Sequence, residues 1–433
     1  MLFFSIVDSL PLNWLFVDMN SYFASVEQEL RPELRGLPVG VVPVMAESTC
    51  CIAASYEAKA FGVTTGTHVS TAREMCPGIV LVESRPVEYI EMHGKIRTAV
   101  DSVLPVHRVD SIDEMSCRLT GRQTEHDKAV ALGRKVKDAI REQAGEYLKC
   151  SVGIAPNRFL AKVASDMQKP DGFVVIKKEE LPERLYALSL TDFPGIGRRM
   201  YARLRANGIG TVEELCGLSE NRMGRIWESV VGKRWYALLR GEDIHEPETE
   251  RKSVSHSHVL PPTQRTDEGV RAVFVNLIHK AAFRLRRLGC LTRKMTVGID
   301  YFGDYQSWRK SIGIDLKNDT QTMIEAFMGV WNERPRKRKP LRVSVAFIDL
   351  VPAGESTLPL LPGERKRDDV AAALDSINDK FGTNSIYYGS MHAAPDAAPL
   401  RTSFTSIPAV IKPKKPLRTP RQKKQPPALI SCP

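Results

Sequence analysis

The chain has 433 residues, with 62 Lys+Arg against 51 Asp+Glu and a formal net charge of +11 at pH 7. That length exceeds what one hydrophobic core organises, and 42% hydrophobic with 26% charged residues excludes wholesale disorder. No run approaches the roughly 18 uninterrupted apolar residues of a membrane span, and no Lys or Arg precedes Arg31, so a signal peptide's basic start is missing and the expected location is the cytoplasm, with no membrane partner.

In chain order, Asn13-Trp14-Leu15-Phe16-Val17-Asp18 reads as a short buried strand ending in a carboxylate. Asn20 or Ser21 is placed to cap the next helix, whose apolar positions Phe23, Val26 and Leu30 recur at helical spacing. Short elements fill 38–84, among them a strand over Cys50-Cys51-Ile52-Ala53-Ala54 and helical pieces punctuated by Gly62, Gly66, Pro77 and Gly78. A helix over 87–104 follows. Strands near 106–110 and 115–119 then flank the acidic turn Asp110-Ser111-Ile112-Asp113-Glu114. A helix over 127–147 and the strand Cys150-Ser151-Val152-Gly153-Ile154 complete the order β-α-β-β-α-β, a split βαβ or ferredoxin-like arrangement. Short helices with Gly turns occupy 190–245. From 252 to 350 the β-α-β-β-α-β order recurs, with helices over 267–288 and 319–332 and strands over 294–299 and 341–347. The expected fold class is α+β and multidomain.

Charge is segregated along the chain. Residues 1–250 hold 31 basic and 35 acidic side chains, 251–345 hold 19 and 8, 346–400 hold 4 and 8, and 401–433 hold 8 and none, with seven prolines. A basic domain on a near-neutral body points to a polyanion held by one part and worked on by another, although a soluble basic face has the same composition. The Pro-rich end reads as a disordered basic tail. Eight scattered cysteines without a C-x-x-C pair signal neither a disulfide framework nor structural zinc. His256 and His258 read as same-face strand histidines rather than metal ligands.

Asp18 ends one strand, and Asp113 and Glu114 lie in the turn between two others. In a split βαβ sheet the first and third strands are adjacent at the centre, which brings these three carboxylates to one edge. Gathered carboxylates repel and require a cation. Oxygen ligands without His or Cys suit Mg²⁺, and two such ions roughly 3.5–4 Å apart serve phosphoryl transfer. Spacing alone leaves open that Asp18 and Glu114 are ordinary strand-end carboxylates.

Five segments, in order, resemble motifs of the Y-family (translesion) DNA polymerases. Phe16-Val17-Asp18-Met19-Asn20-Ser21-Tyr22-Phe23-Ala24-Ser25-Val26-Glu27 resembles the first motif, and Ser111-Ile112-Asp113-Glu114 the S-x-D-E motif. Ser55-Tyr56-Glu57-Ala58-Lys59-Ala60-Phe61-Gly62-Val63 resembles the fingers motif. The stretch from Val152 to Lys162 and Met167-Gln168-Lys169-Pro170-Asp171-Gly172 resemble later palm motifs. The resemblance spans about 13–350 and implies a right-hand architecture: palm (1–40 and 85–188), small fingers (41–84), helix-hairpin-helix thumb (189–246) and ferredoxin-like little finger (252–350). A C-terminal extension (351–400) and the tail (401–433) follow.

The resemblance also implies roles. Asp18, Asp113 and Glu114, with the backbone carbonyl of Met19, would bind two Mg²⁺. Phe23 falls on the steric-gate position that selects deoxynucleotides; by periodicity alone it is a core aromatic. Tyr56, Lys59 and Lys169 match positions that hold the incoming triphosphate. Many relatives have Arg where this chain has Lys59, which replaces a bidentate fork by a point charge. Asp192-Phe193-Pro194-Gly195-Ile196-Gly197 is similar to a helix-hairpin-helix, in which Gly195 and Gly197 let backbone N–H groups approach phosphates. Arg284, Arg286, Arg287, Arg293, Lys294, Arg309 and Lys310 are candidates for DNA-backbone contacts. The cluster Arg334, Arg336, Lys337, Arg338 and Lys339 reads as a solvated loop.

Past 350 the resemblance thins. Ser356-Thr357-Leu358-Pro359-Leu360-Leu361 sits where bacterial relatives carry a sliding-clamp peptide, without its usual Gln and terminal aromatic. Leu374-Asp375-Ser376-Ile377-Asn378-Asp379 and Ile386-Tyr387-Tyr388-Gly389 are similar to the catalytic subunit of bacterial polymerase V, which points to a UmuC-like branch and an accessory subunit of the UmuD type. The expected function is low-fidelity, DNA-directed translesion synthesis on primer-template DNA with dNTPs, without a proofreading exonuclease. Two rivals stand beside it: a non-catalytic DNA-binding scaffold, which would lose palm carboxylates, and a different two-metal nucleotidyl enzyme such as a cyclase.

Overall fold

The computed structural model describes residues 11–398 except 48, 246–250, 304–306, 337 and 356–361. The sliding-clamp-like segment and the basic tail therefore lie outside the described residues. Two compact units divide the chain, one within 1–247 and one within 248–401.

The first unit opens with β1 (Trp14–Met19), α1 (Tyr22–Leu30), β2 (Val39–Val42), β3 (Ala53–Ala54), α2 (Tyr56–Lys59), α3 (Val69–Met75) and β4 (Val80–Glu83). It continues through α4 (Pro86–Asp101), β5 (Val106–Val109), β6 (Glu114–Arg118), α5 (His126–Gln143), β7 (Cys150–Ala155), α6 (Arg158–Met167) and β8 (Phe173–Val175). Its main sheet has the order β5-β6-β1-β7-β8. The first and third strands of the βαββαβ set, β1 and β6, are adjacent, as the split βαβ reading requires, and β8 is an added parallel strand on β7.

All residues of β1 and β7 are buried because helices cover both sheet faces. Leu15, Val17 and Met19 join the core with α4 and α5, whereas Trp14 and Phe16 join the core with α6. That alternation is the period-2 consequence of a strand. Residues 39–83 form a separate small sheet, β3-β2-β4, closed over Val42, Ala58, Val69 and Ala72. The strand expected over 50–54 is shorter: only Ala53–Ala54 pairs with β2, and Cys50 makes an isolated bridge to His68. Four short helices, α7 (Arg198–Ala206), α8 (Val212–Cys216), α9 (Glu220–Trp227) and α10 (Val230–Leu238), share the α6 core through Phe193, Leu204, Leu215 and Trp235.

The second unit comprises β9 (Ser253–Val259), α11 (Asp267–Arg287), β10 (Cys290–Tyr301), β11 (Trp308–Lys317), α12 (Thr320–Val330), β12 (Pro340–Pro352) and α13 (Pro362–Phe381). The expected element order is present, with a different strand order. The sheet runs β11-β10-β12-β9, so its second and fourth strands are central. These are the long strands whose alternate residues Met295, Val297, Ile299, Val343, Val345 and Phe347 are buried beneath α11 and α12. His256 and His258 lie on the core-facing parity of β9 and are half-buried and buried, which agrees with the strand reading. The seven described cysteines are all free.

Candidate active site

Register and parity assemble the site. Asp18 has the parity of Trp14 and Phe16, facing α6, and β1–β6 pairing sets it directly opposite Glu114. From α6, the Lys162 ammonium bonds Asp18 and lies 2.7 Å from Glu114 Oε1 and 3.1 Å from Asp166 Oδ2. Lys169, just beyond α6, lies 2.8 Å from Asp18 Oδ1 and 2.8 Å from Asp166 Oδ1. Asp113 precedes β6; its carboxylate accepts a 2.5 Å hydrogen bond from Ser111 Oγ, and its carbonyl accepts the Met19 N–H at 2.9 Å.

Burial pushes the Asp113 carboxyl above the usual carboxylate range; the Ser111 hydrogen bond opposes this and the Asp18 charge reinforces it. Burial raises Glu114 as well, with Lys162 opposing. For Lys162, burial disfavours the charged form, but Asp18, Asp166 and Glu114 together outweigh it and keep the ammonium protonated. Among the described residues no three His, Cys, Asp or Glu side chains converge as a ready metal cage. Lysine ammonium groups stand between the carboxylates.

A cationic patch lies beside them. Lys59 Nζ sits 4.4 Å over the Tyr56 ring. Burial raises the Tyr56 phenol while Lys169 lowers it, and burial followed by the Lys169 charge lowers Lys59; the field of Asp18 reaches both residues. The loop bearing Lys169 is tied down from three sides. Asn20 Oδ1 accepts the Asp171 N–H at 2.7 Å, Ser151 Oγ accepts the Gly172 N–H at 3.1 Å, and Lys137 Nζ donates to the carbonyls of Asp171 at 2.6 Å and Gly172 at 3.2 Å. At the start of α1, Ser21 has φ 47° and does not cap the helix; its buried hydroxyl interacts with Tyr56.

Phe23 is 2% exposed and stacks on Tyr89 with centroids 4.6 Å apart, inside the α1–α4 core. Beneath it the fully buried Glu27 accepts from Arg85 at 2.6–3.1 Å and from Tyr89 Oη at 2.7 Å, and pairs with Arg31 at 3.2 Å. Sequence reasoning assigned no role to Lys162 or Asp166, and the capping role it offered Ser21 is corrected: in the left-handed region the Ser21 hydroxyl makes no cap hydrogen bond. The i, i+4 spacing of Lys162 and Asp166 on α6 was the available signal.

The expected DNA contacts divide. Gly195 has φ +98° and packs near Trp235, while Gly197 precedes α7, whose first turn carries Arg198 and Arg199 and no acid. In the second unit, Arg286 makes a bidentate pair with Asp375 of α13 at 2.6 and 2.7 Å and donates to the Asn318 carbonyl at 2.7 Å. Arg287 lies 3.3 Å from Asp379. These two arginines clamp α13 to α11; Arg286, taken by Asp375 and the Asn318 carbonyl, is corrected from a DNA contact to a structural one, while Arg287 stays exposed and Arg284, also on α11, is half-buried. The polymerase V-like segments thus serve as a clasp, in which Asn378 also bonds the backbone of Ile386 at 3.0 and 3.1 Å. Lys310 has the core-facing parity of β11 and pairs with Glu333 at 2.5 Å.

The sheet face away from the core carries Lys294, Thr296, Arg309, Ser311, Arg342, Ser344, Ser255 and Ser257 by parity. Arg309 and Arg342 there share Asp300 at 3.2 and 2.6 Å, and Arg293 is exposed.

Residues 17–166 match the model of the impB/mucB/samB family and 251–360 match that of its C-terminal domain. DNA polymerase IV of Moorella thermoacetica is 33% identical over 383 residues, covering 86% of this chain and 94% of the relative. DNA polymerase IV 1 of Bacillus subtilis is 30% identical, covering 90% and 95%. Both are named polymerase IV, the branch opposite to the one that 374–389 suggested. A solved Y-family DNA polymerase chimera superposes with TM-score 0.67 at 24% identity, and the insertion ternary complex of Dbh DNA polymerase with 0.55 at 25%; each covers 78% of this chain and 99% of its own. With family matches over most of both folded units and relatives aligned nearly end to end, this chain belongs to the impB/mucB/samB family, the Y family of translesion DNA polymerases.

Proposed function

We propose that this chain is a DNA-directed DNA polymerase that adds deoxynucleotides to a primer 3′ end opposite damaged template, with low fidelity and no proofreading. One observation carries the reading: β1–β6 register sets Asp18 against Glu114, with Asp113 beside them, at the edge where Lys169, Lys59 and Tyr56 also meet.

The carboxylate group fits divalent metal. Burial raises Asp113 and Glu114, as expected for anions awaiting a cation, and the Lys162 ammonium already stands between Asp18 and Glu114. Asp18, Asp113 and Glu114, with the Met19 carbonyl, would hold two Mg²⁺, which supply charge stabilisation to the attacking and leaving oxygens. The remaining work belongs to the chain's own groups. Lys169, Lys59 and Tyr56 hold the triphosphate, and the α1 start, which has no side-chain cap, offers it backbone donors. Phe23, wedged against Tyr89, walls the sugar side. The α7 start at Gly197 grips a primer-template phosphate, and the polar open face of the β11-β10-β12-β9 sheet, with Arg309, Arg342, Arg293 and Lys294, follows the duplex backbone. A fingers region of only three short strands and two short helices encloses the nascent pair loosely, hence lesion tolerance. We place the activity in the cytoplasm, with a sliding clamp as partner through 356–361 and an accessory subunit of the UmuD type as a second partner.

Primer extension with Mg²⁺ on intact and abasic templates tests the reading. Wild type should extend and Asp113→Ala/Glu114→Ala should not. Extension by the double variant, or tight primer-template binding by a wild type inactive even with a sliding clamp, would favour the scaffold instead.

A further inference from the structure

The lysines among the carboxylates are too well bonded to be incidental. Lys162 is 17% exposed and touches three carboxylates from β1, β6 and α6; Lys169 touches two. Asp166 is the common partner, placing Oδ2 3.1 Å from Lys162 and Oδ1 2.8 Å from Lys169. Asp18, Asp113, Glu114 and Asp166 would otherwise be four crowded anions. A divalent ion on Asp18 Oδ2 and Glu114 Oε1 would compete with the Lys162 ammonium for the oxygens it now bonds and would repel its charge, which favours release of Lys162 from both. Asp166, one helical turn away on the same helix, is then the remaining partner within reach.

We propose that Lys162 is the resident counter-cation of this site and that Asp166 is its parking place: the ammonium holds Asp18 and Glu114 together before metal arrives and swings to Asp166 when metal claims them. Lys162 and Asp166 are in this sense positioning residues, setting metal affinity and keeping the metal-free palm organised. The argument rests on the metal reading proposed above. It goes beyond that reading by assigning a function to two residues that touch neither primer nor nucleotide in it.

The test is Mn²⁺ titration of the full-length, metal-free chain by electron paramagnetic resonance, with thermal melting in EDTA and in Mn²⁺. Lys162→Gln removes a positive charge a few ångströms from the metal position and should tighten Mn²⁺ binding about tenfold. Its melting temperature should fall in EDTA and recover with Mn²⁺, while wild type changes little. Asp166→Asn leaves the ammonium without its alternative partner and should weaken Mn²⁺ binding. In the Lys162→Gln background the same Asp166→Asn change should have a much smaller effect, limited to what Asp166 does through Lys169; a simple field effect would be additive. Additivity, or Lys162→Gln binding Mn²⁺ no more tightly than wild type, overturns the proposal. Asp18→Asn separates the two readings: if it binds Mn²⁺ as wild type does, the metal assignment itself fails. Should Lys162→Gln not fold in EDTA, Asp166→Asn alone decides, and unchanged Mn²⁺ affinity in it refutes the parking role.

Discussion

Gly153 is the point where the β7 backbone meets α6, and a methyl group there is the most direct perturbation of the site. A Cβ added at Gly153 would stand 2.0 Å from the Ala161 carbonyl oxygen and 2.4 Å from the Ser165 nitrogen, both backbone atoms of α6. Real Cβ atoms essentially never come within 3.0 Å, so the helix must withdraw by 1 Å or more. No rotamer change relieves a backbone clash. Overpacking of this kind costs roughly 2–3 kcal/mol, or roughly 4–12 °C in melting temperature for a unit of this size. The helix carries Lys162 and Asp166 and leads directly into Lys169, and misplacement by about 1 Å costs on the order of 100-fold in rate. Gly153→Ala should therefore lose stability and single-turnover primer extension together. Gly94, on the exposed face of α4 with nothing within 4 Å of an added Cβ, is the matched control. Gly94→Ala should stabilise by about 1 kcal/mol and leave extension unchanged. A Gly153→Ala protein with wild-type melting and extension would refute the packing argument.

The Glu27 network gives a second prediction: Arg85→Met removes the bidentate partner of a fully buried carboxylate, leaving it Arg31 and the Tyr89 hydroxyl, and should cost roughly 1–3 kcal/mol by urea unfolding, whereas Glu27→Met/Arg85→Met should recover most of it. If the double variant is no more stable than Arg85→Met, buried charge is not the cause. Acid should selectively weaken the second unit. Burial, followed by Arg284 and Lys280 for His256 and by Arg286 for His279, pulls both histidines down to about 4. A base whose folded pKa lies below its unfolded value binds more protons when unfolded, so stability rises with pH between 4 and 6.5. It is lost on acidification through that window, by up to roughly 3 kcal/mol per histidine. His279→Gln should flatten the profile measured by urea midpoints from pH 4 to 7, and an unchanged slope would count against burial as the cause. Arg286→Ala should release α13 and lower the stability of the second unit with little change in DNA affinity. Arg342→Ala should weaken primer-template binding and reduce its salt slope by about 1; the opposite pattern would return Arg286 to the DNA interface.

What the sequence determined by itself is the chemistry that local pattern carries. The strand ending at Asp18, the turn holding Asp113 and Glu114 and the β-α-β-β-α-β orders are legible because period and turn signals lie within a few residues of one another, whereas Tyr56, Lys59 and Lys169 stand out only through the family's motifs. What only the tertiary structure decided depends on register, parity and strand order, which are long-range. The pairing of β1 with β6 turns Asp18 and Glu114 to the face covered by α6, and so makes Lys162 and Asp166 part of the site. The same kind of fact reassigns Arg286, since basic residues look alike in a sequence until a partner 89 positions away either takes the charge or leaves it to solvent. In the second unit, the choice of β10 and β12 as central strands sets which alternate residues are core and which form an open polar face. Side-chain identity fixes what a residue can bond, and the fold decides what stands within bonding distance.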